Sequence, residues 1–220
     1  MSSYQIPAES IDHQETIKKS QFTTRIRAVA TVEQAKAFIK GVKYQFPDAT
    51  HHCWAYIVGA PSSTTLVGCS DDGEPSGTAG KPMLHVLQHS DLGDIAAVCT
   101  RYFGGTKLGT GGLARAYGGG VKLALEKLKT QEKIEFSNLA FFIGYSQLKN
   151  LEYLLGSFQS EQLTIDYQEK LLVKVAIAIE QLADFKQSLN DLCRGSVDWL
   201  SSERDNNLEV KGKNGTLYFN

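Results

Sequence analysis

No run of apolar residues in this 220-residue chain approaches the roughly 20 needed to cross a bilayer as a helix. The start, MSSYQIPAES, has neither a basic stretch nor an apolar core, so no export signal is read there and a soluble, cytoplasmic protein is expected. Cysteine is scarce, and Cys53, Cys69, Cys99 and Cys193 form no CxxC pair. The spacing argues against a structural zinc site, and in an unexported chain it predicts buried free thiols rather than disulfides. An excess of charge is missing too, because 23 Lys+Arg meet 24 Asp+Glu. The molecule as a whole is therefore no polycation for nucleic acid or an anionic membrane, and any such signal must be local. What is present, 42% hydrophobic and 21% charged residues, is ordinary globular composition and excludes disorder, collagen and solenoid architectures.

Charge and glycine both shift along the chain. Residues 1–135 hold 15 Lys+Arg and 13 Asp+Glu, residues 136–220 hold 8 and 11, and all five prolines and 15 of the 20 glycines lie before residue 136. This places a domain boundary near 130–137, with a first domain over 1–135, a second over 136–205 and a tail, 206–220, that allows a hairpin turning at Asn214-Gly215. In the first domain a strand is predicted over 21–30. A helix follows over 32–46, starting after Thr31 and burying Ala35, Phe38, Ile39 and Val42 at helical spacing. Residues 53–60 and 66–69 form a predicted hairpin. SDDGEPSGTAGKP (70–82) is read as turn chemistry without regular structure, MLHVLQHS as a helix, and 94–103 as a buried strand. In the second domain, strand 139–146, helix 147–158, strands 161–168 and 171–180, helix 181–193 and strand 196–202 follow the order β-α-β-β-α-β, the plan of a ferredoxin-like domain. The fold class expected is α+β.

The chemistry is concentrated in GGTKLGTGGLARAYGGG (104–120), which holds eight glycines. It lies between the strand and a helix predicted over about 113–129. Amides of a glycine loop feeding a helix N-terminus make an anion site, and Ile95 to Leu125 contains no acid while Arg101, Lys107, Arg115 and Lys122 give +4. The residues assigned to RNA or anion binding are therefore Arg101, Gly104, Gly105, Lys107, Gly109, Gly111, Gly112, Arg115 and Lys122. Arg115 and Lys122 share a helix face only if the helix passes through Gly118 to Gly120. The competing explanation of these glycines is a close helix crossing with solvated basic residues.

Other motifs fall short. Gly80-Lys81 lacks the Walker A framework, and Gly109-Thr110-Gly111-Gly112-Leu113-Ala114 satisfies G-x-G-x-x-A without the alternating βα pattern of a dinucleotide fold. Asp71, Asp72 and Glu74 are weak candidates for Mg²⁺. The simpler reading of Asp71-Asp72-Gly73 is a tight turn whose side chains cap local amides. His51 and Cys53 share a strand face and His52 does not, but no nucleophile–base arrangement follows, so no catalytic residue, metal or cofactor is assigned.

Ala49-Thr50-His51-His52-Cys53-Trp54-Ala55-Tyr56, SDDGEPSGTAGKP (70–82) and TRYFGGTKLGTGGLARAY (100–117) together resemble the Impact/YigZ family in its two-domain bacterial form. The resemblance covers most of 15–130, and the second domain looks like the one that bacterial members carry. It implies a first domain of the ribosomal-protein-S5-domain-2-like fold and a second similar to domain V of elongation factor G. It also implies an association with translation: eukaryotic members restrain a starvation-responsive kinase by competing for its activator, and bacterial members are suspected of binding RNA or ribosomes. A proline dipeptidase label used for some members finds no set of metal ligands here. The expected protein is a non-enzymatic regulator whose partner is RNA or the ribosome, with a translation-related protein partner as a further expectation and no membrane partner; nothing in the sequence fixes its oligomeric state. The alternatives are a Mg²⁺-dependent phosphate- or nucleotide-handling enzyme and a protein-interaction module presenting residues 70–82.

Overall fold

The structure, a computed structural model, describes residues 3–61 and 65–200. The predicted tail hairpin lies outside the described residues. The described residues form two compact units, Ser3–Ile134 and 135–200.

The first unit opens with β1 (Ser3–Pro7) and β2 (Ile11–Ile17), neither of which the apolar pattern announces, followed by β3 (Ser20–Ala28) and α1 (Val32–Gln45). Thr31 caps α1, its Oγ1 accepting the Gln34 amide at 3.2 Å while Gln34 Oε1 accepts the Ala30 amide at 2.8 Å. Next come β4 (His51–Ile57), β5 (Val67–Ser70), α2 (Gly80–Gln88), β6 (Ile95–Tyr102), α3 (Thr110–Leu125) and β7 (Thr130–Ile134). Five strands form an antiparallel sheet in the order β2-β3-β6-β4-β5, and β1 pairs with β7 in a separate ribbon. Asp94 ties that ribbon to the sheet. Its carboxylate accepts from the Tyr4 hydroxyl at 3.0 Å, the Gly59 amide at 2.7 Å and Lys133.

The central strand β6 is apolar on both faces because both are covered. Ile95, Ala97 and Cys99 pack with Met83, Leu87, Tyr117, Val121 and Ala124 beneath α2 and α3. Ala96 and Val98 meet Ala35, Ile39 and Val42 of α1 on the other side. Two expectations need correction. Residues 70–82 are not wholly irregular, since α2 starts at Gly80 with Pro82 in its first turn, where no intrahelical N–H is lost. The last helix of this unit spans 110–125 rather than 113–129, and it runs unbroken through Gly118, Gly119 and Gly120.

The second unit contains β8 (Phe136–Ile143), α4 (Leu148–Leu155), β9 (Ser160–Tyr167), β10 (Leu171–Ala178), α5 (Leu182–Leu192) and a short β11 (Asp198–Trp199). Its antiparallel sheet has the order β11-β8-β10-β9. Alternation along β10 sends Leu171, Val173, Val175 and Ile177 into a core shared with Phe141, Leu151, Phe185 and Leu189.

Candidate functional site

At one end of the five-stranded sheet the residues singled out from sequence separate into a buried cluster and an exposed basic rim. Register explains the split. Odd positions of β6 face α2 and α3, and Arg101 shares that face with Cys99, opposite Phe22 of β3 and His51 of β4. Arg101 is only 4% exposed. It donates from Nη1 to Glu74 Oε1 at 2.5 Å and from Nη2 to Ser20 Oγ at 3.3 Å, and its guanidinium lies 5.3 Å from the Phe22 ring centre. The expectation that Arg101 reaches RNA from the surface is thus replaced by a buried ion pair. The alternation Ile95, Ala97, Cys99 carried the signal.

Glu74 is the hub of this cluster. Its Oε1 also accepts the Tyr117 hydroxyl at 2.7 Å, and Tyr117 packs edge-on against Phe22 at 5.3 Å. Burial, reinforced by nearby Cys53 and Cys99, pushes the Tyr117 hydroxyl far up, so it remains a donor. Burial likewise pushes the Cys53 thiol up, and the Cys99 thiol up to about 12. Neither is a nucleophile near neutral pH. Cys53 instead donates to the Asp71 carbonyl at 3.0 Å.

Asp71, Asp72 and Glu74 diverge. Asp71 Oδ1 accepts the Ala79 and Gly80 amides, both at 2.9 Å, and Oδ2 the Gly77 amide at 2.8 Å, which closes the loop and caps the start of α2. Asp72 pairs with Lys43 at 2.5 Å and accepts the His52 amide at 2.7 Å. Every carboxylate is turned to its own donors, and Asp71 takes the amide-capping role that the simpler reading of this turn gave it. No metal-binding group of His, Cys, Asp and Glu occurs among the described residues.

The rim is built by the glycine loop. A Cβ on Gly104 would stand 2.0 Å from the Lys19 carbonyl carbon, so only glycine lets the loop approach the β2–β3 turn, and the Gly104 amide donates to Ser20 Oγ at 3.1 Å. This approach brings the backbone of Lys19, which with Lys18 is absent from the sequence-derived site, against Gly104. Gly105 and Gly109 adopt positive φ, 84° and 77°. The amides of Thr110, Gly111 and Gly112 precede the first intrahelical bond of α3, from the Leu113 amide to the Gly109 carbonyl at 2.9 Å, so the helix start is open to an anion. Lys18, Lys19, Lys107, Arg115 and Lys122 are all exposed, and the Phe103 ring is 48% exposed. Because α3 is continuous, Arg115 and Lys122 lie two turns apart along one face.

Residues 18–125 match the Impact N-terminal domain family, and residues 141–196 match a domain of unknown function (DUF1949). The chain is 46% identical to the IMPACT family member YigZ of Escherichia coli strain K12 over 203 residues, 92% of this chain and 100% of that protein. It is 40% identical to an IMPACT family member of Haemophilus influenzae over 197 residues, 90% of this chain and 96% of the relative. A crystal structure described as that of a hypothetical protein aligns with a TM-score of 0.70 at 46% identity, over 93% of this chain and 100% of that one.

Proposed function

Because this chain belongs to the IMPACT family, we propose that it is a translation-associated regulatory protein that binds RNA, on the ribosome, through the basic rim around its glycine loop. The observation that carries this reading is the acid-free stretch from Ile95 to Leu125. It delivers Lys107, Arg115 and Lys122 to the surface and is joined there by Lys18 and Lys19. Cations drawn from an acid-free stretch of sequence suit a phosphate backbone, the open amides of Thr110, Gly111 and Gly112 add donors, and Phe103 offers a stacking face for an unpaired base. Arg101 acts as a positioning residue, holding Glu74, Ser20 and hence the loop.

The domain assignments support the same reading. The order β-α-β-β-α-β with sheet order β11-β8-β10-β9 supports a ferredoxin-like reading of the second unit, in keeping with the translation-factor module that the family resemblance implies. A shared fold alone does not assign function, so the test addresses the rim. Sedimentation with ribosomes at low and high salt, with and without nuclease, is expected to show co-migration that is lost as salt rises. Arg115→Glu and Lys107→Glu are expected each to weaken binding about tenfold or more with an unchanged melting temperature, both side chains being exposed. Undiminished co-migration of Arg115→Glu would overturn the rim as the site.

A further inference from the structure

The sheet face opposite the Glu74 cluster carries a groove of about 610 Å³ between α1 and β3. One wall is a single stripe of α1: Gln34, Ala37, Phe38, Gly41, Val42 and Gln45, a span of about 17 Å at 1.5 Å per residue. The other wall is the end of β3 from Arg25, with Val29 just beyond it, whose odd positions face α1. Arg25 is fixed at one end. Its guanidinium lies 4.0 Å over the Phe46 ring, its Nε is 3.2 Å from Asp12 Oδ2, and Nη1 donates to Thr100 Oγ1 at 2.6 Å. Arg27 lies midway, 5.0 Å over the Phe38 ring, and among the described residues it meets no carboxylate. On the α1 wall, Gly41 has no atom within 4 Å of where a Cβ would stand. Without a Cβ at Gly41 the groove stays open over the middle of α1.

We propose that this groove binds an extended peptide segment of a partner protein, about five residues long, with one Asp or Glu at its centre paired to Arg27. Length, charge and lining each support that occupant. An extended chain covers 17 Å in about five residues, whereas a small acid would leave most of the groove empty. The groove offers one uncompensated cation, and Asp12 stands beside the other arginine, so a single carboxylate is matched while the repeated charges of a nucleic acid strand are not. A guanidinium held over an aromatic ring keeps five N–H donors, which suit a bidentate carboxylate. Val29, Val42 and Phe46 line the groove for apolar side chains flanking the acid.

The probe is a phage-displayed library of random peptides about seven residues long, selected on the full chain, with the enriched peptide then measured by fluorescence anisotropy. The expected result is enrichment of a single acid flanked by alternating apolar residues, with binding weakened about tenfold by replacing that acid with its amide. Arg27→Gln is expected to abolish the acid preference. Gly41→Leu fills the groove and is expected to weaken binding about tenfold without lowering the melting temperature, since leucine favours the helix. Arg115→Glu is expected to bind the peptide as the unsubstituted chain does, which separates this groove from the basic rim. Failure to enrich any peptide, enrichment without an acid, or Gly41→Leu binding the peptide unchanged would overturn the proposal, as would displacement of the peptide by a short RNA.

Discussion

Asp71 illustrates how a single side chain organises a loop that composition alone describes only as turn-forming. Burial opposes its ionisation, but amide donors from Gly77, Ala79 and Gly80, with Lys81 nearby, outweigh that and hold its carboxyl below the ordinary carboxylate range. Asp72 behaves alike, burial being outweighed by Lys43 and the His52 amide. For groups depressed in the folded state, the unfolded chain binds more protons in acid. Their stabilisation is complete above the unfolded value of about 3.9 and is lost as pH falls through the lower folded value. Urea midpoints are therefore expected to fall below about pH 4, and Asp71→Asn to lower the neutral midpoint while flattening the acid limb. An unchanged acid limb in that variant would show that the three amide contacts do not hold in solution. His51, His52 and Cys53 carry no nucleophile–base arrangement in the sequence. In the fold His51 Nδ1 meets the Asp72 carbonyl at 2.9 Å and His52 Nε2 the Phe46 carbonyl at 3.0 Å, so both anchor loops.

The glycines of α3 act differently although they are consecutive. A Cβ at Gly120 would lie 2.7 Å from Thr24 Oγ1 on β3, at Gly118 3.5 Å from the Pro82 carbonyl oxygen on α2, and at Gly119 near nothing. The helix thus lies between the sheet and α2, and Tyr117, Val121 and Ala124 are fully buried as a result. Gly119→Ala is expected to raise stability by about 0.5–1 kcal/mol through helix propensity. Gly120→Ala is expected to lower it by about 1–3 kcal/mol, because Thr24 sits in a strand and cannot withdraw without disturbing its packing. Denaturant unfolding of the two variants measures both. Equal effects would mean that α3 does not approach β3 so closely. From sequence the three glycines were compatible with a broken helix or a close crossing, and only the neighbours of each decide between them.

The two units build separate cores, one around Met83, Leu87, Ile95 and Tyr117 and the other around Phe141, Val173, Phe185 and Leu189. Each core is closed by its own sheet and helices, so residues 1–134 produced alone are expected to fold. Circular dichroism with cooperative thermal unfolding would show it, and a chain without a transition would refute it. Among the described residues no helix is long and apolar enough to cross a membrane.

The sequence by itself determined the elements whose periodicity is strong: α1, the continuous apolar strand β6, and the β-α-β-β-α-β order of the second unit. These follow from local spacing, in which each residue's preference is set by neighbours a turn or a strand step away. It also located the glycine-rich basic segment, since charge and glycine content are compositional. Tertiary structure alone decided that Arg101 is buried against Glu74 and Tyr117, 27 and 16 positions away in the numbering, while Lys18 and Lys19 join the rim. It also decided that β1 closes on β7 and that Arg25 and Arg27 line a groove against α1. Such outcomes depend on which distant segments meet, and strand parity and the absence of a Cβ acquire meaning only once the facing atom is known.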